Sequence, residues 1–155
     1  MGNNWKITDT LTKVFADEVP DGQGSIRLST LHRETVSCVI AYFGAADWGR
    51  YWKVSVKAPE KIETRLRRVE LVPSAYPCHK EQDDNYLRIV PGMYPDLLRD
   101  LDTEDDGADK KYLTKEVPGQ WRSLWLDVTV DAELAGGDYA IVIEAETEDG
   151  EKETV

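Results

Sequence analysis

Apolar and polar residues alternate with a period of two along several runs of this chain. Trp52, Val54, Val56 and Ala58 are separated by Lys53, Ser55 and Lys57, and Leu124, Leu126, Val128 and Val130 by Trp125, Asp127 and Thr129. Tyr139, Ile141, Ile143 and Ala145 form the apolar face of a further run. Successive side chains of an extended chain point to opposite faces, so this spacing predicts strands with one face in a core and one toward water. No segment carries a convincing 3.6-residue period, so the chain must build sheets and find its core between them.

The remaining segments add strands and turns. Val36, Cys38, Ile40 and Tyr42 share one face of a run whose other face, Ser37, Val39 and Ala41, is only partly polar. Ile62, Thr64 and Leu66 begin an alternation that slips phase at Arg67-Arg68 before Val69 and Leu71, which predicts a β-bulge or a change of sheet near the arginines. Trp5-Lys6-Ile7 and Ile26 to Leu28 read as short strands, with a turn at Pro20 to Gly24 between them. Asp149-Gly150 suits a tight hairpin with positive φ at both central residues. Residues 74–119 read as irregular, with one short strand over Tyr86 to Val90. Pro91, Gly92 and Pro95 argue against a long helix or central strand. The polar Asp100 to Lys111 stretch reads as a long connection. The expectation is an all-β, two-sheet sandwich of about seven to nine mostly antiparallel strands, with an up-and-down barrel as the alternative.

Length and charge narrow the function. The 155 residues fit a single domain spanning 1–155 that buries a sizeable core without a metal or disulfide staple. A net charge of -11 repels phosphate backbones and anionic headgroups, so neither nucleic acid nor a membrane surface is an expected partner. No apolar run is long enough to span a bilayer, and Met1-Gly2-Asn3-Asn4 opens no secretion signal. If Met1 is the native start, the chain is expected in the cytoplasm. Cys38 and Cys78 are expected as free thiols, with a bridge between them as the minority alternative.

Chemistry-bearing motifs are sparse. Asp102, Glu104 and Asp106 before Gly107 imitate an EF-hand loop, but Leu113 stands where the bidentate Glu belongs, leaving a looser calcium loop or a solvated acidic stretch. Asp83, Asp84 and Asp96 are carboxylates whose spacing does not define a glycosidase pair. His32 and His79 have no companion ligands or nucleophile, and no nucleophile elbow or phosphate loop is present. No cofactor and no catalytic residue is expected. Trp48, Tyr51, Tyr76, Tyr86, Tyr94, Trp121 and Trp125 are aromatics for which sugar stacking competes with ordinary packing. Trp125 faces away from Leu124, Leu126 and Val128, so something other than that core layer must cover it if it is buried.

Several stretches resemble a known family. Leu71-Val72-Pro73, Asp83-Asp84-Asn85-Tyr86 and Pro91-Gly92-Met93-Tyr94-Pro95-Asp96-Leu97-Leu98 are similar to the middle of the N-terminal domain of bacterial proteins related to glycoside hydrolase family 123. Gln120 to Val128, Leu134 to Tyr139 and Leu31 to Ser37 resemble other strands of that domain. The resemblance implies an immunoglobulin-like β-sandwich preceding a larger barrel. The family's hydrolysis of N-acetylgalactosamine-containing glycans uses an Asp-Glu pair on that barrel and the substrate's acetamido group. No position of this chain inherits the pair, and the acidic Asp100 to Asp109 insertion departs from the family pattern.

On these grounds the chain is expected to be a non-catalytic N-terminal accessory or scaffold domain, a fragment of a longer glycoside-hydrolase-like protein whose downstream catalytic barrel is its partner. A carbohydrate-binding module and an immunoglobulin-like structural or adhesion domain are the alternatives. Tyr94, Asp96, Trp121 and Trp125 are the candidate sugar or domain-interface residues. The Pro91 to Leu98 segment is the candidate docking patch, which without the barrel either lies exposed or pairs with another copy as a dimer.

Overall fold

The computed structural model describes residues 4–45, 50–78, 85–105 and 110–155. The chain folds into two antiparallel sheets of five strands each, packed as an open sandwich and not closed into a barrel. The first sheet holds β1 (Trp5–Thr8), β2 (Thr35–Phe43), β8 (Trp121–Val130), β4 (Ile62–Ser74) and β5 (Gly92–Asp100), in that spatial order. The second is ordered β10 (Lys152–Thr154), β9 (Val142–Thr147), β3 (Tyr51–Lys57), β7 (Lys110–Lys115) and β6 (Thr103–Asp105). Among the described residues, no helix is long and apolar enough to cross a membrane.

The core forms where the two alternating faces meet. Ile40, Leu66, Leu124 and Leu126 of the first sheet and Trp52, Val54, Ile143 and Ala145 of the second belong to one buried cluster. Full burial of a Val, Leu or Ile side chain contributes roughly 1.5–3 kcal/mol relative to exposure. One end of this layer is polar. Tyr42 and Thr114 join their hydroxyls at 2.7 Å, and the Trp52 indole N–H donates to the buried Glu116 carboxylate at 2.6 Å. Trp5 stacks on Tyr42 at 5.1 Å and meets Trp52 edge-on at 5.3 Å, so aromatic rings surround these bonds.

Several expectations are corrected. A bulge lies near the arginines, at Glu70/Leu71, while β4 pairs with β8 without interruption from Ile62 to Val69 and stays in one sheet. Val69 and Leu71 are half-buried on the other face, so partial cover on both sides imitated a phase slip. The extra residue of that bulge belongs to β5 and not to β4: Glu70 pairs with Leu97 and Leu71 with Pro95, leaving Asp96 unopposed. The Pro91 to Leu98 segment therefore contributes most of an edge strand, a place that tolerates both Pro95 and a bulge.

The acidic stretch is not one long connection. Thr103–Asp105 pairs with Lys110–Tyr112, which places basic residues beside acidic ones at the edge of the second sheet. Ile26 to Leu28 forms no strand, and neither does Tyr86 to Val90. The last hairpin has a three-residue loop: Gly150 N donates to Thr147 O at 3.0 Å and Thr147 N to Glu151 O at 2.9 Å. Gly150 alone in this loop adopts positive φ, at 83°, so the turn is the bulged type and not the two-residue type with both central residues left-handed.

Candidate functional site

Two places combine accessible surface with defined chemistry. The first is the outer face of the first sheet, where the alternation of β8 aims Trp121, Ser123, Trp125, Asp127 and Thr129 away from the sandwich. Residues 9–20 lie across part of it. Asp9 starts this strap by accepting bonds from the backbone N–H groups of Leu11 at 3.0 Å and Thr12 at 2.9 Å. Val14 then packs with Val39, Ala41 and Trp121 in a second buried cluster, against which Trp125 and Phe43 also pack. The backbone of Trp121 donates to Ala16 O at 2.9 Å, and Lys6 Nζ sits 5.5 Å from the centre of the Trp121 ring.

Phe15 fixes the next part of the strap. Its ring meets Tyr94 edge-on at 5.7 Å and carries the Arg88 guanidinium 3.9 Å from its centre. Arg88 also pairs with Asp17 at 2.8 Å and with Glu18. The bond from Arg88, together with a backbone bond, holds the Asp17 carboxyl below its usual range.

These contacts locate the four sequence candidates. Trp121 is only 6% exposed and offers no open ring face. Trp125 is half-buried and donates its indole N–H to Asp127 Oδ1 at 2.7 Å. Tyr94 is half-buried, with its hydroxyl donating to Val90 O at 2.5 Å. Asp96 is exposed at the bulge of β5. The fold brings Trp121 and Trp125 onto one face and Tyr94 and Asp96 onto one strand. The cover that Trp125 required comes from that second cluster, which the period of β8 alone does not reveal. Trp48, His79, Asp83 and Asp84 lie outside the described residues.

Asp127 anchors a polar group that sequence reading did not single out as a site. Ser37 Oγ donates to its Oδ1 at 2.7 Å and Arg67 Nη2 to its Oδ2 at 2.6 Å, alongside the Trp125 bond. Burial raises the carboxyl's pKa, but the bonds from Ser37, Trp125 and Arg67 outweigh it and hold the group below its ordinary value. The cross-strand register Ser37↔Asp127 was the available signal, and it exists only once β2 and β8 are paired. Ser37 Oγ, Trp125 Nε1 and Arg67 Nη2 all donate to this one carboxylate, which suits a structural clamp on the sheet.

The second place lies between the sheets, at the end of the core opposite Tyr42 and Thr114. A cavity of about 430 Å³ opens there, with Cys38, Leu126, Val128 and Ile143 in its walls. Residues 25–30 and 134–139 border its mouth, and Arg27 on one loop meets Asp138 on the other at 2.8 Å. Burial pushes the Cys38 thiol up to about 11, with the nearby Asp127 charge adding to the shift. A thiol in that state is a poor nucleophile. Cys38 and Cys78 are both free.

Among the described residues, no group of three or more His, Cys, Asp or Glu side chains is placed to hold a metal ion. Asp102 and Glu104 of the acidic stretch are described, and Glu104 pairs with Lys53 at 2.8 Å, whereas Asp106 and Gly107 lie outside the described residues. No known family model matches this chain, and no curated protein matches it.

Proposed function

We propose that this chain is a non-catalytic accessory domain with an immunoglobulin-like sandwich, serving to support a larger glycoside-hydrolase-like barrel. The observation that carries this reading is an apolar surface running through and beside the edge strand β5. Leu87 is 73% exposed, Val90 56%, Ile89 50%, Leu97 48% and Met93 44%. Apolar side chains crowded along one segment, next to a sheet edge, are what a domain presents when it packs against a neighbour. The resemblance of the 91–98 segment to the domain that precedes such a barrel supplies the identity of the neighbour.

The burial of Trp121 and the commitment of the Trp125 and Tyr94 polar atoms to intramolecular bonds favour support over sugar recognition. A stacking platform needs aromatic faces open to solvent. Titration of the isolated chain with its separately produced barrel, followed by calorimetry, should give saturable binding that Leu87→Asp and Val90→Asp abolish while the fold survives. Absence of that binding by a folded sample would sink the reading. Saturable binding of N-acetylhexosamine glycans, lost in Trp125→Ala, would make the chain a carbohydrate-binding module instead. Light scattering of the chain alone decides whether the patch lies exposed or pairs with another copy: a monomer at high concentration would rule out the dimer.

A further inference from the structure

Protein interiors pack as densely as organic crystals, and the few voids they keep seldom exceed a water molecule. A cleft of about 430 Å³ that opens to solvent between the sheets is more room than such packing leaves. Its volume falls within the roughly 300–1,000 Å³ of small-molecule sites. Its depth is made by aliphatic side chains from both sheets, Leu126 and Val128 on one side and Ile143 on the other, with the neutral Cys38 thiol beside them. Water against these aliphatic side chains gains little, because an ordered buried water needs two to four polar partners. A sugar fares worse, since its hydroxyls would be buried without bonds.

The mouth has the opposite chemistry. Ser29, Thr30 and His32 border it, and Arg27 and Asp138 form an ion pair whose side chains are 83% and 89% exposed. An exposed pair of this kind contributes little to stability, so it can open without a large penalty. Tyr139 ties its hydroxyl to Ala135 O at 2.8 Å within one of the bordering loops. Polar groups thus ring the entrance and apolar groups fill the depth, which is the arrangement an amphiphile requires.

We propose that this inter-sheet cavity is a binding site for a small amphiphile, its apolar tail against Cys38, Val128 and Ile143 and its polar head between the Arg27 and Asp138 loops. The site is separate from the β5 surface, so it stands or falls independently of the accessory-domain reading.

Calorimetric titration of the full chain with octanoate and with 1-octanol tests it. Both arms should show saturable one-to-one binding with a negative heat-capacity change. In a Cys78→Ser background, saturating ligand should slow modification of Cys38 by a small neutral thiol reagent at least tenfold. Val36→Phe, which adds volume at the cavity wall, should weaken binding at least tenfold. If that variant does not fold, Leu28→Trp at the mouth serves in its place. A preference for octanoate that disappears in Arg27→Ala would identify the head as a carboxylate, and equal binding would identify it as neutral; either supports the site. Absence of saturable binding by the folded chain would overturn the proposal, as would binding that leaves Cys38 unprotected and is indifferent to the filling variants.

Discussion

The hydroxyls of Tyr42 and Thr114 lie 2.7 Å apart and join β2 of one sheet to β7 of the other across the core. Both side chains are almost wholly buried, at 1% exposure each. Tyr42→Phe should cost about 1–3 kcal/mol, because it strands the Thr114 hydroxyl without its partner. Thr114→Val should cost a similar amount, and the double variant clearly less than the sum. Urea unfolding of the four proteins gives the cycle, and strict additivity would show that the bond contributes nothing.

Asp127 predicts a specific acid response. Its folded pKa lies below the 3.8 of a free side chain, so its bonds stabilise the native state above that value. The stabilisation is lost as pH falls through the depressed folded value. Between about pH 4 and pH 2 the wild type should therefore lose more stability than Asp127→Asn, with the two curves running parallel above about pH 5. Denaturant midpoints across that range measure it, and parallel curves throughout would contradict the assignment.

The two thiols should separate by rate. Cys38 is 3% exposed and pushed up to about 11, so at pH 8 only about a thousandth of it is thiolate. Cys78 is partly exposed and not bridged. A bulky charged disulfide reagent should modify Cys78 in the native protein and reach Cys38 only on unfolding. Two equally fast thiols would show that the cavity end opens readily.

Gly44 is required by contact. A Cβ built there would lie 2.2 Å from the carbonyl oxygen of Val117, which belongs to backbone and has no rotamer to yield. The same glycine donates to Gln120 O at 3.0 Å and accepts from Gly119 N at 2.8 Å, locking two crossovers together. Gly44→Ala should destabilise by about 1–3 kcal/mol or more, whereas Gly24→Ala, with nothing within 4 Å, should be close to neutral. Thermal melts of the two variants make the comparison.

The sandwich was legible where a strand has one buried and one wet face. The alternations around Trp52 and Leu124 mark β3 and β8, and that of Ile143 and Ala145 marks β9, although Tyr139 stays outside the strand. The β7 strand escaped notice because one of its buried residues is Thr114, a polar side chain whose burial depends on Tyr42 in the opposite sheet. Pro95 concealed β5, since proline argues against central strands but not against edges. Ile26 and Leu28 alternate without a strand because they border the cavity mouth and have no ladder partner there. Glu116 was illegible for a further reason: nothing local marks a carboxylate destined for burial beneath an indole N–H.

The interruption at Asp96 also sets the kind of association the molecule permits. Pro95 has no N–H to offer, and the unopposed Asp96 throws the ladder out of register at the same point. A strand from another copy that began to zip onto this edge would stall within a few residues, so open-ended stacking of copies is blocked there. A neighbour accepted on this flank must be chosen by the fit of its side chains, which makes the contact selective and free to come apart.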